Sequence, residues 1–240
     1  MEHLETEHYI FHYNTNTKAE QDIAEIASFQ ENCHRHICSV LKTVPAFKIQ
    51  YYLCDSPEEV GRLYGDNEPC NGFTSPPDTI YAVYNEQIQC IGFHEDAHII
   101  SYTLNRPDAP AIREGLAMYF DRMWWDIPNL DWSIYYRMHG RYIPVDALMD
   151  RDCFFSTDCA ITYPIMGAFT EFLISVYGID SYLSFYTSTP PAWRTAFSRT
   201  IGELNGAFEA YLDQLTLDPR IADQIAQLVG GIASSQEHHT

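Results

Sequence analysis

Residues 94–98 read His-Glu-Asp-Ala-His, and this stretch decides how the rest of the chain can be interpreted. On a helix, residues four apart lie on one face, so His94 and His98 would present two imidazoles one above the other. His-Glu-x-x-His on a helix is typical of a zinc site with the glutamate as general base. Glu95 would then take a proton from the attacking water. Catalytic zinc usually has three protein ligands, so the pattern predicts a third ligand elsewhere in the chain.

Glu114 is the residue that we expect to supply this third ligand. The apolar helix that carries the histidines is predicted to run from Glu86 or Gln87 to Leu104, and the prolines of residues 105–110 break it. From His98 that helix climbs roughly 10 Å, and the next one descends roughly 7 Å to Glu114 at 1.5 Å per residue. An antiparallel helix pair would therefore bring Glu114 level with the histidines. Gly115 and Ala117 permit close helix approach.

Three interpretations of this pattern compete. A His-Glu-x-x-His pattern arises by chance in on the order of a few per cent of chains with this histidine content. Histidines and acids inside an apolar helix are costly unless they are paired or bind a metal, which favours a zinc hydrolase. The alternatives are a catalytically silent, metal-containing binding or scaffold protein of the same fold, and a metal-free domain in which the three side chains diverge.

A second group of metal-ligand residue types, Cys33-His34-Arg35-His36, lies in the predicted helix Ala19–Leu41. Cys33 falls on the apolar stripe of that helix, while His34 and His36 point to different sides. We interpret this group as a core cysteine beside solvated histidines.

The pattern of the remaining chain predicts an α+β fold. Short β-prone runs favour a mixed sheet in the first part, with the prolines of residues 76–78 keeping one strand near the sheet edge. Strands are predicted at Tyr9–Tyr13, Phe47–Leu53, Cys70–Ser75 and Thr79–Tyr84, with a helix from Ser56 to about Gly65. Helices are predicted at Tyr163–Tyr177, Ser181–Tyr186, from Pro190 onward and at Ile201–Leu215, and the tail 237–240 is predicted to be loose.

These elements define two subdomains of one catalytic unit. Residues 1–105 form an N-terminal α/β subdomain with the histidine helix, and residues 106–240 form a mainly helical C-terminal subdomain.

Composition excludes several classes of function. The chain has 240 residues and a formal net charge of −19, which argues against a nucleic-acid partner and against attraction to anionic lipid. We find no run of about 18 apolar residues and therefore expect no transmembrane segment. No leader is visible at residues 1–5. The sequence leaves both an extracytoplasmic location, after removal of a leader, and a cytoplasmic location open, and slightly favours the first.

Seven cysteines leave at least one thiol unpaired within the chain. Cys153 and Cys159 flank a short loop and could close a small ring, which would favour an oxidising compartment. Buried free thiols are the alternative.

The metal-site pattern resembles that of the gluzincins, the thermolysin-like metallopeptidases and zinc aminopeptidases. More closely, the chain from the Tyr9 strand to about Leu215 resembles the peptidase MA-like family of metallopeptidases. The residues that carry the resemblance are Gly72–Ser75, the strand pair, His94–His98, Glu114–Ala117, Tyr163–Phe169 and Tyr177-Gly178.

This resemblance implies a zincin-like metallopeptidase fold, one Zn²⁺ per chain and a peptide or protein substrate. It implies His94, His98 and Glu114 as ligands, with Glu95 as the general base. Tyr163 would donate a hydrogen bond to the oxyanion. The edge strand would bind extended substrate backbone, and its residues are Gly72, Phe73, Thr74 and Ser75.

The sequence departs from the pattern of these metallopeptidases at two places. The Gly-x-Met-Glu-Asn segment with which many aminopeptidases hold a free amino terminus is absent, which favours an endopeptidase. Met118 stands where thermolysin-like enzymes have an acidic residue that orients a histidine. Asp96 and Arg113 adjoin the expected ligands and are candidate outer partners, although the sequence does not select them.

Overall fold

The computed structural model describes residues 1–236 and divides the chain into two compact units, Met1–Arg106 and the part from Pro107 onward. The fold is mixed α+β with a mixed sheet, as the sequence predicts. Residues 237–240, predicted as a loose tail, lie outside the described residues.

The first unit holds one five-stranded sheet and three helices. In chain order they are β1 (Glu2–Glu5), β2 (Tyr9–Tyr13), α1 (Lys18–Leu41), β3 (Ile49–Cys54), α2 (Pro57–Tyr64), β4 (Gly72–Ser75), β5 (Thr79–Val83) and α3 (His94–Tyr102).

The sheet has the strand order β1-β2-β3-β5-β4. β2, β3 and β5 are parallel to one another, whereas β1 and β4 pair antiparallel to their neighbours. The prediction of an edge strand beside the proline turn is confirmed, since β4 lies at one end of the order. β1 was not predicted because its sequence, Glu-His-Leu-Glu, has no β-branched or aromatic residue to signal a strand.

The two faces of the sheet differ in burial. One face carries the fully buried side chains of alternate strand residues, including Tyr9, Tyr51 and Ile80, and α1 packs against β2 and α3 there. The opposite face carries a ladder of stacked, partly exposed rings. The ladder runs through His12, Tyr52, Tyr81 and Phe73, with ring centroids 4.3, 4.9 and 4.8 Å apart.

The helix of the two histidines is shorter than predicted, because α3 begins at His94 and not at Glu86 or Gln87. The Oδ1 atom of Asn85 accepts the backbone N–H groups of residues 87 and 88, each at 2.8 Å, and so stabilises a turn. This local bond competes with helix formation. Gly92 then takes a φ of +134°, which a helix does not permit.

The second unit is mainly helical. Its elements are α4 (Pro110–Asp121), β6 (Met123–Trp124), β7 (Ile127–Pro128), α5 (Asn129–Met138), a 3₁₀ turn (Ala147–Met149), α6 (Arg151–Ser156), α7 (Cys159–Tyr177), α8 (Ile179–Tyr186), α9 (Trp193–Phe197), α10 (Ile201–Leu212) and α11 (Pro219–Gln236).

Helix α7 contacts both α4 and α5, and glycines make the close approach possible. A Cβ added to Gly115 of α4 would lie 2.7 Å from Oγ1 of Thr170. A Cβ added to Gly167 of α7 would lie 2.5 Å from Nδ2 of Asn129 and 2.7 Å from Cβ of Met118. These separations are too short for any side chain, so the packing requires glycine at both positions.

Helix α7 begins at Cys159, earlier than the predicted Tyr163, and continues through Pro164. A proline inside a helix has no N–H to donate to the carbonyl four residues before it. That carbonyl belongs to Ala160, and the hydroxyl of Tyr136 donates to it at 2.7 Å. The tertiary bond therefore replaces the missing helical one.

Within residues 1–236, α7 is the one helix long and apolar enough to cross a membrane by length and composition, and most of it is buried inside the protein. Burial of this kind is typical of a core helix.

All seven cysteines lie among the described residues, and none of them forms a disulfide bond. Cys153 and Cys159, which the sequence allows to close a ring, are therefore not bonded to each other.

Candidate functional site

The two histidines of the opening pattern lie together on α3. Their ring centroids are 5.0 Å apart and their planes are nearly perpendicular, at 84°. Each ring offers a nitrogen within 4.8 Å of one on the other. His94 is half-buried, and His98 is 6% exposed. Two imidazoles held in this way on one helical turn are a donor pair that suits zinc.

Glu95 follows His94 in the first turn of α3, and its carboxylate lies against strand β4. The Thr74 hydroxyl donates a hydrogen bond to Oε2 of this carboxylate. Oε1 lies over Gly72, where an added Cβ would be only 3.3 Å away. Both carboxylate oxygens are therefore placed by the edge strand.

Asp96 points away from that strand into the core, where it is fully buried. Its Oδ2 accepts hydrogen bonds from the Tyr9 hydroxyl on β2 and from Nε2 of Gln30 on α1, the latter at 3.1 Å. Burial raises the pKa of Asp96 well above its ordinary value, against the lowering effect of these two donors. The cluster ties α3 to both β2 and α1.

Two oxygens of this cluster are unsatisfied. Within the described residues, Oδ1 of Asp96 and Oε1 of Gln30 are buried without a hydrogen-bond partner. The buried carboxylate of Asp96 is therefore stabilised by the two donors that reach Oδ2, the Tyr9 hydroxyl and Nε2 of Gln30.

His98 has an aromatic neighbour one turn along α3. The Tyr102 hydroxyl lies 3.4 Å from Nδ1 of His98, the distance of a weak hydrogen bond, and the two rings stack at 5.6 Å. A partner on one ring nitrogen fixes the orientation of a histidine whose other nitrogen binds a metal.

The outer partners suggested by sequence adjacency serve other purposes. Asp96 bonds to Tyr9 and Gln30, as described above. The Arg113 guanidinium donates to the backbone carbonyls of Pro107 and Asp108, at 2.6 and 3.0 Å, and so stabilises the segment before α4.

Glu114 and Tyr163, the other predicted site residues, belong to the second unit. Glu114 is half-buried on α4, immediately before Gly115. Tyr163 is half-buried in α7 and lies between two aromatic rings. Its centroid is 5.6 Å from that of Trp124, edge to face, and 6.1 Å from that of Phe154, stacked.

The four residues of β4 divide between its two faces. Gly72 and Thr74 pair with Ala82 and Ile80 of β5 and share their buried face. Phe73 points to the other face and stacks on Tyr81. Ser75, the last residue of the strand, is exposed.

Sequence reasoning missed three contacts in this region: Thr74 with Glu95, Asp96 with Tyr9 and Gln30, and Tyr102 with His98. The contact between Tyr102 and His98 could have been predicted, since Tyr102 is four residues beyond His98 on the same helix. The contacts of Asp96 and Glu95 join segments far apart in the chain, and no local pattern predicts them.

No protein-family model and no curated protein matches this chain.

Proposed function

We propose that the protein is a zinc-dependent metallopeptidase with a zincin-like fold, and an endopeptidase rather than an aminopeptidase. In this proposal His94, His98 and Glu114 bind the metal, and Glu95 is the general base. The observation that supports it best is the pair of imidazoles on one turn of α3, with the carboxylate between them in sequence held in place by a neighbouring strand.

Zinc, when bound, would supply a Lewis acid that makes water more acidic and polarises the scissile carbonyl. Glu95 accepts the proton of the attacking water and returns it to the leaving amine. Tyr163 donates a hydrogen bond to the oxyanion, and its packing between Trp124 and Phe154 restricts the ring. The backbone of β4, at the sheet edge, pairs with an extended peptide.

The metal part of the proposal is tested by elemental analysis of the purified chain. We expect one zinc per chain, lost in His94→Ala and His98→Ala and weakened in Glu114→Ala. His3→Ala, on exposed β1, is the matched control and should keep its zinc. Full zinc content in the three ligand variants would refute the ligand set.

The catalytic part is tested by digesting a peptide library with the zinc-loaded protein and identifying products by mass spectrometry. We expect chelator-sensitive cleavage that Glu95→Gln abolishes while zinc content stays unchanged. Cleavage retained in Glu95→Gln would refute the role of the base. Zinc binding without any chelator-sensitive cleavage would refute the peptidase and support the silent binding or scaffold protein.

A further inference from the structure

The carboxylate of Glu95 has a defined position, although glutamate is one of the most flexible side chains. Fixing such a side chain costs rotamer entropy, so its contacts must favour one arrangement. Two contacts from β4 do so. The Thr74 hydroxyl donates to Oε2, and Oε1 lies so close to Gly72 that an added Cβ would be 3.3 Å away, tighter than an ordinary van der Waals contact.

The strand geometry explains why these two residues act together. Alternate residues of a strand face the same side, so Gly72 and Thr74 both face α3, whereas Phe73 faces away. α3 contacts both β4 and β5. Thr74 can also reach the backbone oxygen of Glu95, but at 3.4 Å that contact is much weaker than the one to the carboxylate.

We infer that Thr74 is a positioning residue, which holds the carboxylate of Glu95 beside Gly72 and does not itself bind substrate through its side chain. A hydrogen bond to an ionised carboxylate is shorter and roughly twice as strong as one between neutral groups. Each carboxylate oxygen has two acceptor sites, so Oε1 can still accept a proton from water. The inference rests on the proposed role of Glu95 as general base.

The contact itself is tested without any activity, by a double-mutant cycle on the metal-free full chain. Thr74→Val should lower the urea midpoint in the parent chain and leave it nearly unchanged in a Glu95→Ala chain. Thr79→Val is the matched control, because its hydroxyl donates to Asp78 at 3.0 Å on the neighbouring strand. Its effect should be the same in both chains. Additive effects of Thr74→Val and Glu95→Ala would overturn the inference.

The positioning role is tested with a fluorogenic peptide that carries the sequence cleaved by the parent in the library digest. Thr74→Val should lower kcat about tenfold to a hundredfold, because a displaced reacting group loses its aligned geometry. KM should change by less than about twofold, and Thr74→Ser should restore most of kcat.

A rise in KM at unchanged kcat would overturn the inference and assign Thr74 to substrate binding. If the parent cleaves no peptide at all, the proposed function fails. The urea cycle still decides whether Thr74 holds Glu95.

Discussion

The hydroxyl of Tyr9 is expected to stabilise the protein through Asp96, and Tyr9→Phe removes this one group. The hydroxyl donates to Oδ2 of Asp96 and lies 3.1 Å from the backbone oxygen of Gln30. Without it, Oδ2 keeps only the Nε2 donor of Gln30, at 3.1 Å, and Oδ1 already has no partner among the described residues. Leaving a buried acceptor short of a donor costs about 1–3 kcal/mol, so we expect a loss of about 2 kcal/mol.

Tyr51→Phe is the matched control for this substitution. Tyr51 lies on the adjacent strand and is as buried as Tyr9, and its ring centroid is 6.1 Å from that of Tyr9. Its hydroxyl does not donate to Asp96, whose Oδ2 accepts from Tyr9 and Gln30 and whose Oδ1 has no partner among the described residues. Tyr51→Phe should therefore cost less than about 1 kcal/mol.

The assay is urea unfolding of the full, metal-free chain at neutral pH, followed by circular dichroism and extrapolated linearly to water. Hydrogen exchange supplies a second measurement, since Asp96 lies in α3. The amides of residues 97–100 should exchange faster in Tyr9→Phe than in Tyr51→Phe. Equal losses of stability in the two variants would refute the reasoning, because burial of the ring and not the bond to Asp96 would then decide the energy.

Three further predictions concern stability. His34 is buried and not solvated as predicted, and burial lowers its pKa from 6.5 to about 4. Its neutral form therefore costs the folded state nothing above pH 6.5, and stability is lost as the pH falls from 6.5 toward 4. Between pH 6.5 and 4, the free energy of unfolding from urea titrations should fall by up to about 3 kcal/mol more in the parent than in His34→Leu. Equal losses in the two proteins would contradict this prediction. Gly167→Ala should lower the free energy of unfolding by more than about 2 kcal/mol through overpacking. Gly206→Ala, in open space on α10, should raise it by up to about 1 kcal/mol. Thermal unfolding measures both variants, and an unchanged stability of Gly167→Ala would show that α7 can shift. Thr200 and Glu203 form a capping box at the start of α10, so Thr200→Ala should lower the urea midpoint by an amount equivalent to about 1 kcal/mol, and an unchanged midpoint would show that the cap contributes nothing.

Much of the fold could be predicted because local chemistry agreed with the final structure. Ser56 and Pro57 announce the start of α2, where the Ser56 side chain accepts the N–H of Glu59. The prolines at 76 and 77 mark the turn between β4 and β5, and the placement of β4 at the edge followed from them.

The errors share a physical cause, which is that a side chain or a distant residue supplied a bond that the local pattern did not show. Asn85 bonds to the backbone after it and delays the start of α3. Pro164 has no N–H for the carbonyl of Ala160, and the hydroxyl of Tyr136 donates to that carbonyl instead, so the helix can continue through the proline.

The candidate site was predictable only where it is local. The placement of His94 and His98 on one helical face follows from their spacing, and the structure has them there. The roles of Glu114 and Tyr163 remain predictions. Thr74 was assigned to the substrate with the rest of its strand, because a sequence does not show which face of a strand meets a helix.

The alternation of β4 has a consequence for protein engineering. Gly72 and Thr74 are constrained by Glu95, but Phe73 lies on the opposite face of the strand and has no contact with that carboxylate among the described residues. Phe73 packs instead against Tyr64, Tyr81 and the buried cluster around Val60. Substitutions at Phe73 therefore change the packing of that face and leave the contacts of the carboxylate in place.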